Sequence, residues 1–273
     1  MTTILMRFKS GLYTATQSFS MLWQQKKLLV YLGIPAGLNI ILRLLLHNTG
    51  TPLKSFKLAS VLYQIFLSFP LWAHKVGLFV LFLATTMITT FFTVALIYRI
   101  AQTIQGVSVT FWQSFTACWP KRNIIALWAL PLALIDFLIN SMLDSTLLTN
   151  FSLSATCILL IGLILWFLYT FFVLQLIALN NMPFGVTVQR SGMITKHTIV
   201  EIIGVECWFT LTIILVTIPF LVMELLFKNI PVNPILVFLG LFISEFMLKC
   251  WLTTAHIIAK TMLYQSYCKE SNF

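Results

Sequence analysis

Charge is what this sequence has least of. Asp, Glu, Lys and Arg make up 9% of its 273 residues, and only 7 residues are acidic. A soluble domain uses about 25% charged and about 45–50% apolar residues. Here 59% are apolar and the mean hydropathy is +0.96. A surface in contact with water cannot be built from that composition. Lipid removes the requirement, because residues facing hydrocarbon are apolar. The scarcity of charge therefore excludes a soluble domain and puts the chain in a bilayer.

Marks of chemistry are missing too. The sequence holds no H-E-x-x-H, no Gly-rich phosphate loop and no nucleophile elbow. Cys118, Cys157, Cys207, Cys250 and Cys268 are odd in number and form no C-x-x-C pair. They read as small buried hydrophobes, not as disulfides or metal ligands. The histidines, His47, His74, His197 and His256, are scattered and offer zinc no ligand set. His197 and Glu201 have a ligand-like spacing but stand alone. No enzymatic activity, cofactor or metal is expected. The net charge of +10 has its ordinary cause in the positive-inside bias, so nucleic acid is not an expected partner. Lipid is, together with a protein partner or a second copy of the chain. The first apolar run begins near residue 28 and no small-x-small cleavage site follows it, so it reads as an uncleaved span.

What is present is length. A membrane-spanning helix takes about 20 mostly apolar residues. Six runs qualify: Leu28–Leu46, Val76–Tyr98, Ile124–Leu143, Ala155–Leu179, Ile199–Phe227 and Ile235–Leu263. The fifth and sixth are long enough to tilt or project. Ser60–Trp72 is apolar but short, and reads as an interfacial helix in preference to a re-entrant element. The expected fold is all-α: one polytopic helical bundle over residues 1–273, with six transmembrane helices and cytoplasmic amphipathic helices. Eleven Lys and Arg fall in the N-terminus, the second and fourth connections and the tail, against four in the other connections. That asymmetry predicts both termini in the cytoplasm of a bacterial inner membrane protein.

A shift of 96 residues lays Gln17-Ser18-Phe19 on Gln113-Ser114-Phe115, Trp23 on Trp119, Lys26 on Arg122 and Pro35 on Pro131. Matches among polar, Trp and Pro residues carry more weight than Leu on Ile. They suggest parallel units of an amphipathic helix plus a two-span hairpin, over 1–98, 99–180 and, with degraded register, 181–273. In the third, Pro183 starts a short helix that ends in Lys196-His197. Leu5, Phe8, Leu12, Ala15, Phe19 and Leu22 share one helical face. Ile100, Ile104, Val107, Phe111, Phe115 and Cys118 share another, with Ser108 as a cap after Gly106. Such helices are expected to lie in the headgroup region. Gly162 and Gly240 read as close helix contacts.

The run Phe92–Ala133 resembles the middle of an uncharacterised family of bacterial six-span membrane proteins. The resemblance rests on Ala95-Leu96-Ile97 at a span end, Gly106 before a cytoplasmic helix, the basic break Lys121-Arg122, and Trp128-Ala129-Leu130 at a span start. Met182–Ile203 is similar as well, with Pro183, Gln189-Arg190-Ser191 and Lys196. Asn180-Asn181 departs from the acidic residue often found there. The resemblance implies a fold and a membrane location, and brings no activity.

Charges inside the spans are the candidate functional residues. Each costs about 2.5–3.5 kcal/mol to insert. Arg43 and Asp136 lie at matching depth, about 22 Å and 18 Å from their span starts at about 1.5 Å per residue, and are expected to pair. Glu245 and Lys249, one turn apart, are expected to face the bundle. They pack there as an ion pair or, with His256 and Lys260, relay protons or substrate. Glu206, near the inner end of the fifth span, is placed to face Lys260. The leading expectation is a non-enzymatic structural or assembly component of the membrane. The alternative is a small-molecule or ion transporter.

Overall fold

The computed structural model describes residues 2–46, 71–144, 153–227 and 234–270, and no strand occurs among them. Helix α1 is Thr2–Gln24. A 3-10 turn, Lys26–Leu28, leads into α2, Leu29–Leu46. Then come α3, Leu71–Ile104, the short α4, Phe111–Cys118, a second 3-10 turn, Trp119–Lys121, and α5, Arg122–Asp144. Helices α6, Leu153–Tyr169, and α7, Val173–Leu179, precede the long α8, Phe184–Phe227, and α9, Pro234–Glu270. The side chains of Arg43, Asp136 and Glu245 and most of Ser60–Trp72 lie outside the described residues, as do Gly240 and Cys157.

Three stretches are long and apolar enough to cross a membrane: Phe79–Ile104, Ile161–Leu179 and Phe184–Pro219. The other three expected spans coincide with α2, α5 and α9, whose far parts lie outside the described side chains. At about 1.5 Å per residue, α3, α8 and α9 are each roughly 50–66 Å long. Each is longer than a hydrocarbon core of about 30 Å. Leu211, Ile213, Ile214, Leu215 and Ile218 are all exposed on α8. In water such a surface would aggregate, whereas in lipid it is solvated. Several hydroxyls within the apolar helices are satisfied by their own helix, whereas that of Thr195 on α8 is buried without a partner. Thr89 and Thr93 donate to the carbonyls of Thr85 and Thr89, both at 2.8 Å.

Among the described residues the helices pack most fully at one end, and α3 and α5 also meet farther along, where Phe137 lies 5.6 Å from Phe79 and 6.2 Å from Phe82. One hydrophobic cluster joins Ala15 and Leu22 of α1, Tyr31 and Leu32 of α2, Val94–Ile97 and Ile100 of α3, Ile125 and Trp128 of α5, Val173 and Ile177 of α7, Val205 and Phe209 of α8, and Ala255 and Ile257–Ala259 of α9, and a second joins Phe171 and Phe172, Leu176 of α7, Ile194 and Ile202 of α8, and Leu263 and Tyr264 of α9. Helix α1 packs on α8 and α9. Its buried stripe is Gly11, Ala15, Ser18 and Leu22, with Phe8, Leu12 and Phe19 half-buried, while Leu5 is exposed. The shift is toward the small residues, which let the helices approach more closely than Leu5 would.

Local structures recur 96 residues apart. Ser18 donates to the carbonyl of Ala15 at 2.6 Å, and Ser114 to that of Phe111 at 2.6 Å. Lys26 lies 4.8 Å over the Trp23 ring, and Arg122 5.7 Å over Trp119. A 3-10 turn follows each amphipathic helix, and Pro35 and Pro131 both sit inside the helix beyond it.

Five expectations need correcting. The face Ile100–Cys118 is not one helix. Gly106, at φ 80°, ends α3, with Val107 N–H donating to Gln102 O at 2.9 Å and Gly106 N–H to Thr103 O at 3.0 Å. The next cap is Thr110, not Ser108. Its N–H donates to Gln113 Oε1 at 2.8 Å, and its hydroxyl accepts from Gln113 N–H at 3.4 Å. The segment from Pro183 does not stop at Lys196-His197 but runs unbroken into the fifth span, because no 3-10 turn intervenes. The fourth span breaks at Thr170–Phe172, where Ser191 of α8 accepts the freed Phe172 N–H at 3.1 Å. Gly162 is exposed, and a Cβ there would meet nothing within 4 Å.

Cys118 and Cys250 are buried, but Cys207 is exposed and Cys268 is half-buried. Burial pushes the Cys118 thiol up to about 11, against the pull of nearby Lys121. N-ethylmaleimide at pH 8 should therefore leave Cys118 unmodified in the folded protein and modify it after SDS denaturation. Mass spectrometry of its peptide reads the difference, and labelling of the native form would show that this part of the core is open.

Candidate functional site: the junction of α1, α8 and α9

Helix α1 crosses α8 at two glycines. Gly11 is buried with its backbone against the Glu201 carbonyl, and a Cβ on Gly204 would come within 2.6 Å of the Phe8 carbonyl. Small residues at this crossing let the backbones touch. Arg7 closes one side of it. Its Nε lies 3.1 Å from Glu201 Oε1, and its Nη1 donates to the His197 carbonyl at 3.2 Å. Arg7 thus bridges the His197 carbonyl and the Glu201 carboxylate, and among the described residues no group of three or more His, Cys, Asp and Glu has metal-binding geometry.

Beside this crossing, α8 and α9 bring Glu206 and His256 together. Nε2 of His256 lies 2.8 Å from Glu206 Oε1. An ionised carboxylate only accepts, so the imidazole is the donor. The side chains are 24% exposed for His256 and 32% for Glu206. Phe209 packs on the His256 ring at 4.8 Å. It also stacks on Phe19 of α1 at 5.4 Å, and Phe19 meets Trp251 at 4.9 Å. Lys260, one turn beyond His256, lies 4.0 Å over the Phe171 ring and 4.8 Å over Phe167. It is near enough to Glu206 for the two charges to interact.

Of the charged candidates, the structure thus places Glu206 beside His256, within the field of Lys260. Lys249 is exposed, not turned into the bundle as expected, because Cys250, Thr254 and Ile258 carry the buried stripe of α9. Arg43, Asp136 and Glu245 fall outside the described side chains, so the Arg43–Asp136 pair and the Glu245 end of a relay do too. Sequence reasoning missed the glycine crossing. Its signal was Gly11 and Ala15, four apart in a stripe of otherwise large apolar residues.

Other polar groups tie the packed end together. The Tyr31 and Ser114 hydroxyls share a hydrogen bond of 2.6 Å, and Lys121 donates to the Ala178 carbonyl at 2.7 Å. Asn180 donates to the Tyr264 hydroxyl at 2.8 Å. The arrangement can hold helices in register and keep one carboxylate–imidazole pair partly shielded from solvent. No protein-family model, curated protein or solved structure matches the chain.

Proposed function

We propose that this protein is a non-enzymatic multipass component of a bacterial inner membrane with a structural or assembly role. On this reading it has six spans and cytoplasmic termini, and it belongs with the six-span family that Phe92–Ala133 resembles. Its first two units are copies. One observation carries the role: the charges at the junction are spent on holding helices together. Arg7 bridges α1 to α8, and Glu206 binds His256 between α8 and α9 under an aromatic cover. A transporter needs charged groups along a wetted path, whereas these are engaged in packing. The packed end would present a rigid base, with α1 strapped across it.

A proton-flux assay tests the role directly. The full chain in proteoliposomes carrying a pH-sensitive dye should dissipate an imposed pH gradient no faster than empty liposomes. Flux that Glu206→Gln or His256→Gln abolishes, with yield and folding retained, would overturn the structural role and install proton transport.

A further inference from the structure

We propose that the cleft between the end of α1 and the turn after α3 is a binding site for a phosphate-ester anion. The cleft has a volume of about 650 Å³ and is lined by Trp23, Lys26, Lys27, Arg99 and the turn Gly106–Val109, among others. Ligand sites typically span roughly 300–1,000 Å³, so the space suits a headgroup or a small phosphate ester.

Its charge is of one sign. Three cations line it and no carboxylate does. Among the described residues, none of the three forms an ion pair. The reason lies far back in the sequence: no acidic residue precedes Asp136, so this half of the chain cannot neutralise its own cations. Arg7 finds its carboxylate in α8, but the cleft has no such neighbour. Bringing Lys26, Lys27 and Arg99 together costs repulsion that an anion would offset.

The site is also partly built. Arg99 lies 5.7 Å over the ring of Tyr31, which is fully buried and anchored through its hydroxyl to Ser114. That holds a planar guanidinium, the group best matched to phosphate oxygens, at one wall. Gly106 makes the left-handed corner after which Val107, Ser108 and Val109 line the cleft. Trp23, 67% exposed, stands at the rim with Lys26 over its ring. Arg99 and Thr103 belong to the last turns of the membrane-length stretch Phe79–Ile104. A phosphate bound there would sit where an apolar helix leaves hydrocarbon, at headgroup depth. The chemistry is shared by an acidic phospholipid and a free phosphate ester.

The test uses the full chain purified in neutral detergent. Phosphatidylglycerol, phosphatidylcholine and sn-glycerol 3-phosphate are titrated and bound species counted by native mass spectrometry. Phosphatidylglycerol should be retained and phosphatidylcholine not. Lys26→Gln with Lys27→Gln should weaken retention about tenfold, and Arg99→Gln should do the same. Arg99→Lys, which keeps the charge, checks that loss is not misfolding, and it should bind more tightly than Arg99→Gln. Lys9→Gln removes an exposed charge outside the cleft and should leave binding unchanged. Competition by glycerol 3-phosphate at matching concentration would assign the site to a soluble ester, and its absence would assign it to lipid; either places a phosphate ester in the cleft. Equal retention of both lipids, wild-type binding by the cleft variants, or an equal loss in Lys9→Gln would overturn the proposal.

Discussion

Gly11→Val and Gly204→Val should each release α1 from α8 and lower the melting temperature markedly. The cause is backbone contact, not side-chain fit. A Cβ on either residue meets main-chain carbonyl atoms of the facing helix, which cannot rotate away. Overpacking at a rigid site costs about 1–3 kcal/mol and occasionally more. The added isopropyl group should reach the upper end, about 3 kcal/mol. The Arg7–Glu201 pair cannot offset that. Arg7 is half exposed, and an exposed pair contributes at most about 1 kcal/mol. Released α1 should be cut by trypsin at Arg7 and Lys9 faster than in the parent protein. The double variant should be little worse than either single one, since the contact is lost once. Gly33→Ala is the control. A Cβ there meets nothing within 4 Å, so the change should be neutral or stabilise by up to about 1 kcal/mol. Equal melting temperatures for Gly11→Val and Gly33→Ala would show that α1 is not held at this crossing.

The contrast between those glycines marks how far sequence reading reaches. Periodicity and apolar length located the helices, since both follow from lipid exposure and a 3.6-residue repeat. They also found the buried side of α1 from Phe8 to Leu22 and put Glu206 in the neighbourhood of Lys260. The local consequences of the 96-residue match were legible for the same reason. A Ser three residues after a carbonyl, or a cation three after a Trp, makes a short-range contact that needs no partner helix. Tertiary effects were out of reach. Nothing in Tyr169-Thr170-Phe171-Phe172 announces a helix break, because the break is stabilised from α8 by Ser191. Gly11, Gly33 and Gly162 look alike in sequence. Only the position of α8 separates the one in backbone contact from the two in open space. Glu206 found His256 and not Lys260 as its hydrogen-bond partner, because α8 and α9 meet in a register that a single sequence does not encode locally.

That register supplies the second large effect. His256→Leu should leave Glu206 with no hydrogen-bond donor of its own, beside Phe209 and within the field of Lys260 alone. Removing one partner of a fully buried ion pair costs about 3–5 kcal/mol. At 24% and 32% side-chain exposure this pair is partly hydrated, so about 2 kcal/mol is the expected loss. Glu206→Leu should cost less, because it removes the carboxylate charge and leaves the imidazole packed against Phe209. The double change, Glu206→Leu with His256→Leu, should recover part of the loss, since two apolar groups then fill the space of a hydrogen-bonded pair. The measurement is the urea or thermal midpoint of the purified protein across the four members of the cycle. A positive coupling of about 1 kcal/mol or more identifies the pair as a packing device between α8 and α9. Additive losses would show that Glu206 and His256 act independently, and with them would fall the idea that charge at this junction is committed to holding the helices.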